Sequence, residues 1–288
     1  MPLALEGLRV LDCSQGVPGA FCAMQLGDLG AEVIKVEPPD GDGTRWSLPI
    51  QRGMGTNFIS MNVNKKDIIL DLKSDAGRTH AQQLAKDADI VVQNFRVGVM
   101  ERLGLDYKSL QPLNPKLVYC SISGFGESGP LRQAGCSDPI MQAFSGFARF
   151  NGAPGDALEA FRFTGFIDLT TASVATEAVL TAVNDRERSG KGQEVCISML
   201  EAALEMQRHL FLIPGGNEDG EAHLTAAGVG EALVGDRPAG LCKERHGPPQ
   251  ELAVAARAVA REAHAFLREP RDLAQCEARR RRRQRMQG

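Results

Sequence analysis

The chain lacks the residue patterns that mark a metal centre, a disulfide scaffold or a membrane span. Its seven cysteines (13, 22, 120, 136, 196, 242 and 276) are odd in number, widely spread and contain no CxxC pair. That argues against a disulfide framework or a zinc site and makes a reduced, cytoplasmic compartment the expectation. The five histidines (80, 209, 223, 246 and 264) form no HxxxH or HExxH spacing, so no metal is expected. No run approaches eighteen apolar residues, so no membrane partner is expected. The opening Met1-Pro2-Leu3-Ala4-Leu5-Glu6-Gly7 has neither a basic region nor a long apolar one, and no secretory signal is read there. A formal net charge of -3 argues against nucleic acid or a membrane surface as a general partner. What is present is 43% apolar content in 288 residues, enough core for one large domain or two modest ones.

Short apolar runs alternate with helix-length segments. Strands are expected at Leu8 to Asp12, Glu32 to Val36, Ile68 to Leu72, Ile90 to Val92, Lys116 to Ile122 and Val195 to Ser198. Helices are expected over Phe21 to Leu29, from an N-cap at Ser74 through Ala85, and over about Leu169 to Asn184. Strands separated by helices imply right-handed βαβ crossovers, hence an α/β fold with a mostly parallel sheet flanked by helices.

The character changes near residue 215, so two regions are expected, 1–214 and 215–288. In the second, Lys243 is the only lysine against twelve arginines, and strand-like runs vanish. The segment from Glu251 to Glu269 has strong helix propensity. Its apolar residues Leu252, Val254, Val259, Phe266 and Leu267 are too few for an independent core. Five consecutive arginines, Arg279 to Arg283, fit a nucleic-acid arm or targeting signal on one reading and a self-repelling, partly disordered helical tail on another.

Several residues in the first region suit anion and acyl chemistry. The loop Ser14-Gln15-Gly16-Val17-Pro18-Gly19-Ala20 precedes a helix and is expected to point backbone N–H groups at an anion. Glu37 closes the second strand where a dinucleotide-binding acid would sit, but the G-x-G-x-x-G pattern is absent, which argues against NAD. Arg45, Lys65, Lys66, Lys73 and Arg102 could meet phosphates as charge-assisted donors or simply face solvent. Asp168 sits where a helix begins. It reads as an N-cap, and the helix dipole is expected to keep it anionic with a pKa near ~3.9. Asp138, before Pro139, reads as a cap or structural acid near the site.

Three ordered blocks carry more information than any single residue. They are Val10-Leu11-Asp12 with Leu29-Gly30-Ala31-Glu32-Val33-Ile34-Lys35-Val36-Glu37-Pro38-Pro39, then Gly135-Cys136-Ser137-Asp138-Pro139-Ile140-Met141-Gln142-Ala143-Phe144-Ser145-Gly146, then Phe166-Ile167-Asp168-Leu169-Thr170-Thr171-Ala172-Ser173. Over about the first 210 residues this arrangement resembles the family III coenzyme A transferases (CaiB/BaiF-type). The resemblance implies a Rossmann-like fold and CoA transfer from an acyl-CoA donor to a carboxylic acid acceptor, through a covalent intermediate on Asp168. It implies a CoA thioester as substrate, no permanently bound cofactor, and a homodimer. It puts Gln15, Val17 and Pro18 against the CoA chain. In Leu70-Asp71-Leu72-Lys73, in Gln93-Asn94-Phe95-Arg96 and at Arg102 it implies further CoA contacts through Leu70, Lys73, Asn94, Phe95 and Arg102, with Arg45 among the cations. The acyl-CoA racemases of the same superfamily are an alternative, but they have a histidine before the acid where this chain has Ser137. A non-catalytic CoA-binding remnant is another, because the resemblance ends where the composition shifts, as it would if residues 215–288 were read out of frame.

Overall fold

A computed structural model describes residues 2–150 and 165–208. The division at 214/215, the helix expected from Glu251 and the arginine run lie outside the described residues. Eight strands are described: β1 (Arg9–Asp12), β2 (Glu32–Glu37), β3 (Ile50–Gln51), β4 (Met54–Gly55), β5 (Lys65–Ile69), β6 (Ile90–Gln93), β7 (Val118–Ser123) and β8 (Glu194–Ser198). The helices are α1 (Pro18–Asp28), α2 (Thr56–Met61), α3 (Asp75–Lys86), α4 (Val99–Leu103), α5 (Tyr107–Leu110), α6 (Asp138–Phe144), α7 (Phe147–Phe150), α8 (Phe166–Ser189) and α9 (Met199–Met206).

Six strands pair in parallel in the order β5-β2-β1-β6-β7-β8, and β3 with β4 forms a separate hairpin. The sheet therefore grows from β1 in both directions, the doubly wound order whose connections reverse between β1 and β6. The expected α/β fold is present. Alternate residues feed two cores. Val10, Ile90, Val92, Val118, Cys120 and Ile122 pack with α1 and α8 on one face. Leu11, Val36, Val91 and Tyr119 pack with Ala81 and Ala85 of α3, Met100 of α4 and Leu110 of α5 on the other. Burial on both faces is why the central strands read as unbroken apolar runs.

The third strand lies three residues earlier than expected, at Lys65–Ile69. Its register on β2, from Val33↔Lys65 to Glu37↔Ile69, brings a lysine into the sheet. That lysine is satisfied by Asp12, 2.8 Å away. Ser74 caps α3 as expected, accepting from the N–H of Gly77. Helix α8 runs longer than expected and stops at Gly190, whose φ of 69° suits a residue without Cβ. By length and composition α8 could cross a membrane. Here Ala172, Ala175, Val179 and Ala182 bury it against the sheet and α1, the packing of a core helix.

Candidate active site

The residues singled out in the sequence as CoA contacts lie beyond the C-terminal ends of the strands. Gln15, Val17 and Pro18 follow β1, Arg45 follows β2, Leu70 and Lys73 follow β5, Asn94 and Phe95 follow β6, and Arg102 lies in α4 beyond β6. The switch point falls between β1 and β6, the crevice where doubly wound sheets bind ligands. There Asn94 meets Gln15: its Oδ1 accepts from the Gln15 N–H at 2.8 Å and its Nδ2 donates to the Gln15 carbonyl at 2.6 Å.

The loop at this crevice differs from the expected anion cradle. Its amides turn inward. Ser14 donates to Asp12, Gln15 to Asn94, and Gly16 to Asp42 at 3.3 Å. Pro18 occupies the first turn of α1 and has no N–H to offer. What the loop presents outward is the exposed Gln15 side chain beside the half-buried Val17.

Beneath the loop lies a charge network that the sequence reading missed. Lys35 is 1% exposed and reaches Asp42 at 3.1 Å, Asp12 at 3.8 Å and the Ser14 carbonyl at 2.9 Å. Lys65 adds bonds to Asp12, the Ala20 carbonyl and Asn62. Burial pushes the Asp12 carboxyl up, but the two ammonium groups win and hold it below the usual range. Burial draws the Lys65 ammonium down despite Asp12.

The basic residues divide by how they are engaged. Arg45 grips Glu37 through two nitrogens, the Nε bond measuring 2.6 Å, and stacks 3.8 Å over the Phe58 ring. Glu37 is thus committed to Arg45 and to the Asp42 N–H. Lys65 is buried in the network, and Lys66 pairs with Glu32. Lys73 and Arg102 are exposed, and among the described residues neither side chain makes an ion pair. Leu70 and Phe95 pack partly buried in the second core.

Asp168 stands at the other focus. It is not the N-cap but the third residue of α8; Gly165 is the cap and makes no side-chain capping bond. The free helix N–H is satisfied from outside. Asp138, in the first turn of α6, accepts the Asp168 N–H at 2.9 Å on Oδ2 while its Oδ1 accepts from Gln142. Asp138 is therefore a cap, but of the neighbouring helix. Burial and then the Asp138 charge raise the Asp168 carboxyl from 3.8 to about 7, so the expectation of a fully anionic group is not met. The helix N-terminus favours the anion, but a few oriented amides do not outweigh burial beside a like charge. Cys136 adjoins Asp168, and its thiol is pushed up to about 12 by burial and the Asp168 charge. Gly124 admits it: a Cβ there would stand 2.4 Å from the Cys136 Cβ. Around this point Met141 and Ile167 are buried, with Phe125, Phe144 and Phe147 packed against them. A separate cavity of about 150 Å³, lined by Arg96, Lys108, Arg132, Glu127 and Glu194 among others, does not include Asp168.

A doubly wound sheet with its switch point between β1 and β6, and an ionisable carboxylate at a helix mouth, together define a class: an α/β protein of the kind that places its ligands at the strand ends. The sequence matches CoA-transferase family III over residues 5–287, and the chain belongs to that family. The match extends beyond the 210 residues over which the motifs alone carry the resemblance. Relatives include a succinyl-CoA:glutarate CoA-transferase of Mus musculus, 38% identical over 200 residues, 69% of this chain and 46% of that one. An acetyl-CoA:oxalate CoA-transferase of Acetobacter aceti is 35% identical over 233 residues, 81% of this chain and 57% of that one. Among solved structures, a CAIB/BAIF family protein from Brucella suis is 34% identical with a TM-score of 0.69, covering 74% of this chain and 58% of that one. The chain spans about half the length of the curated relatives it matches.

Proposed function

We propose that this protein moves CoA from an acyl-CoA donor to a carboxylic acid, with Asp168 as the covalent nucleophile. The observation that carries the reading is a carboxylate at the mouth of α8, its backbone fixed by Asp138, in a chain of this family. The Asp168 carboxylate attacks the thioester carbonyl, forming an aspartyl anhydride and releasing the CoA thiolate. The thiolate then attacks the aspartyl carbonyl, giving an aspartyl-CoA thioester and the free donor acid. The acceptor carboxylate repeats the sequence in reverse, and Asp168 emerges unchanged. No step needs a redox group or metal, and the anionic aspartate needs no separate base to attack. A cytoplasmic homodimer completes the reading. During turnover, hydroxylamine should convert Asp168 to its hydroxamate; label on Asp138 instead would overturn the assignment.

Two further outcomes follow. As Asp168 must ionise to attack, kcat/KM should rise with pH through about 7. Asp138→Asn keeps an acceptor for the Asp168 N–H and removes the charge, so the rising limb should move to lower pH. A limb that stays in place would remove Asp138 as a cause. Of the basic residues singled out in the sequence, Lys73 and Arg102 are the two whose side chains make no ion pair among the described residues, which suits them to the phosphates of CoA. Each alanine substitution should weaken CoA binding roughly ten- to hundred-fold, from about 1.5–3 kcal/mol per charge-assisted contact. Calorimetric titration with CoA that shows no loss in the double variant would put the nucleotide elsewhere.

A further inference from the structure

Two side chains from different strand ends hold the β1–α1 loop from opposite sides. Asn94, after β6, spends both hydrogen-bonding groups of its amide on the backbone of Gln15, at 2.8 and 2.6 Å. Asp42, after β2, is 1% exposed and accepts the Gly16 N–H at 3.3 Å on Oδ2. The same Asp42 Oδ2 meets Lys35 at 3.1 Å, while Oδ1 accepts from Thr44 N–H at 2.9 Å and Thr44 Oγ–H at 2.7 Å. Lys35 in turn donates to the Ser14 carbonyl. The first turn of α1 presses on the same point: a Cβ on Gly19 would stand 2.3 Å from the Ser14 Cβ and 3.4 Å from the Asn94 Cγ.

We propose that Asn94 and Asp42 are positioning residues that act as one clamp on Ser14–Gly16, presenting Gln15 and Val17 to the acyl-CoA. Asn94 thus acts through Gln15 and not as a direct ligand of the nucleotide, the role that the family resemblance implies for it. Asp42 enters no functional assignment otherwise. The proposal rests on the CoA-transferase reading. The physical reason is pre-organisation. A loop whose amides are already bound to fixed side chains loses little freedom when ligand arrives, whereas a released loop must be ordered by the ligand itself. Gln15 and Gly16 are adjacent, so freeing one end of the clamp releases the other.

The test uses the full chain as wild type, Asn94→Ala, Asp42→Asn, the double variant, and Val118→Ala as a core change on β7 remote from the loop. Amide exchange by NMR on the unliganded protein reads the clamp directly. Each single variant should speed exchange at both Gln15 and Gly16, including the amide whose own acceptor is intact. CoA affinity should fall about tenfold in each single variant and no further in the double, with kcat kept within about twofold. Val118→Ala should leave those amides and CoA affinity unchanged. Acceleration confined to the amide whose acceptor was removed would overturn the proposal. So would unchanged affinity, or a double variant that loses the product of the two single effects. A wild-type chain that binds no CoA would instead defeat the transferase reading, and amide exchange would still decide the clamp.

Discussion

Asp168→Asn should abolish CoA exchange and, above pH 7, make the folded protein more stable. The first effect follows because an amide cannot form the anhydride, and losing a covalent nucleophile removes the pathway outright. The second follows from linkage. The folded state binds the Asp168 proton more tightly than the unfolded chain, its carboxyl lying near 7 against 3.8. Below 3.8 both states are protonated and the group is neutral to stability. Between 3.8 and about 7 the unfolded chain ionises first and stability falls; above that the penalty is constant. At about 1.4 kcal/mol per unit the shift sets an upper limit of about 4 kcal/mol on this penalty. Urea titrations at pH 8 and pH 4 are the check. The asparagine variant should gain at pH 8 and match the wild type at pH 4. A variant that retains exchange would remove Asp168 from the chemistry, and one that is less stable at pH 8 would mean that the carboxylate makes a contact worth more than its burial costs.

Lys35→Met should be among the most damaging changes to the fold, although it conserves length and adds apolar character. The ammonium is almost wholly buried between Asp42 and Asp12 and donates to the Ser14 carbonyl. Deleting it leaves Asp42 without its cation and Asp12 with Lys65 alone, the situation in which breaking a buried pair costs about 3–5 kcal/mol. Removing the orphaned charge as well, in Lys35→Met with Asp42→Asn, should recover part of the loss. Denaturation midpoints decide it: a mild single variant, or a double variant worse than the sum of the two single changes, would contradict the network.

The strands of the sheet were legible because burial on both faces leaves short unbroken apolar runs that the local sequence displays. Val10 and Leu11, or Ile90 and Val91, go to opposite cores yet are both apolar. Ser74 marked a helix start through local capping chemistry, whereas Pro18, read as part of the loop, opens α1 three residues ahead of the expected Phe21. The start of β5 was misplaced because Lys65 and Lys66 look like surface residues until β2 supplies the register and Asp12 the counter-charge. Asp138 could be read as a cap from the proline that follows it, but not as the cap of a helix thirty residues on.

By itself the sequence determined the α/β class, the family and the candidate nucleophile, since these rest on short-range periodicity and on ordered motifs. Only the tertiary structure decided the state of those residues. Arg45 is committed to Glu37, while the exposed Arg102 makes no ion pair among the described residues. Asp168 is drawn toward neutrality by burial and by a carboxylate distant in the chain. The β1–α1 loop turns its amides inward to Asp12, Asn94 and Asp42. Each depends on which groups are brought together across tens of residues and on how much water remains between them. Desolvation and Coulomb interaction are set by distance in space and not by distance along the chain.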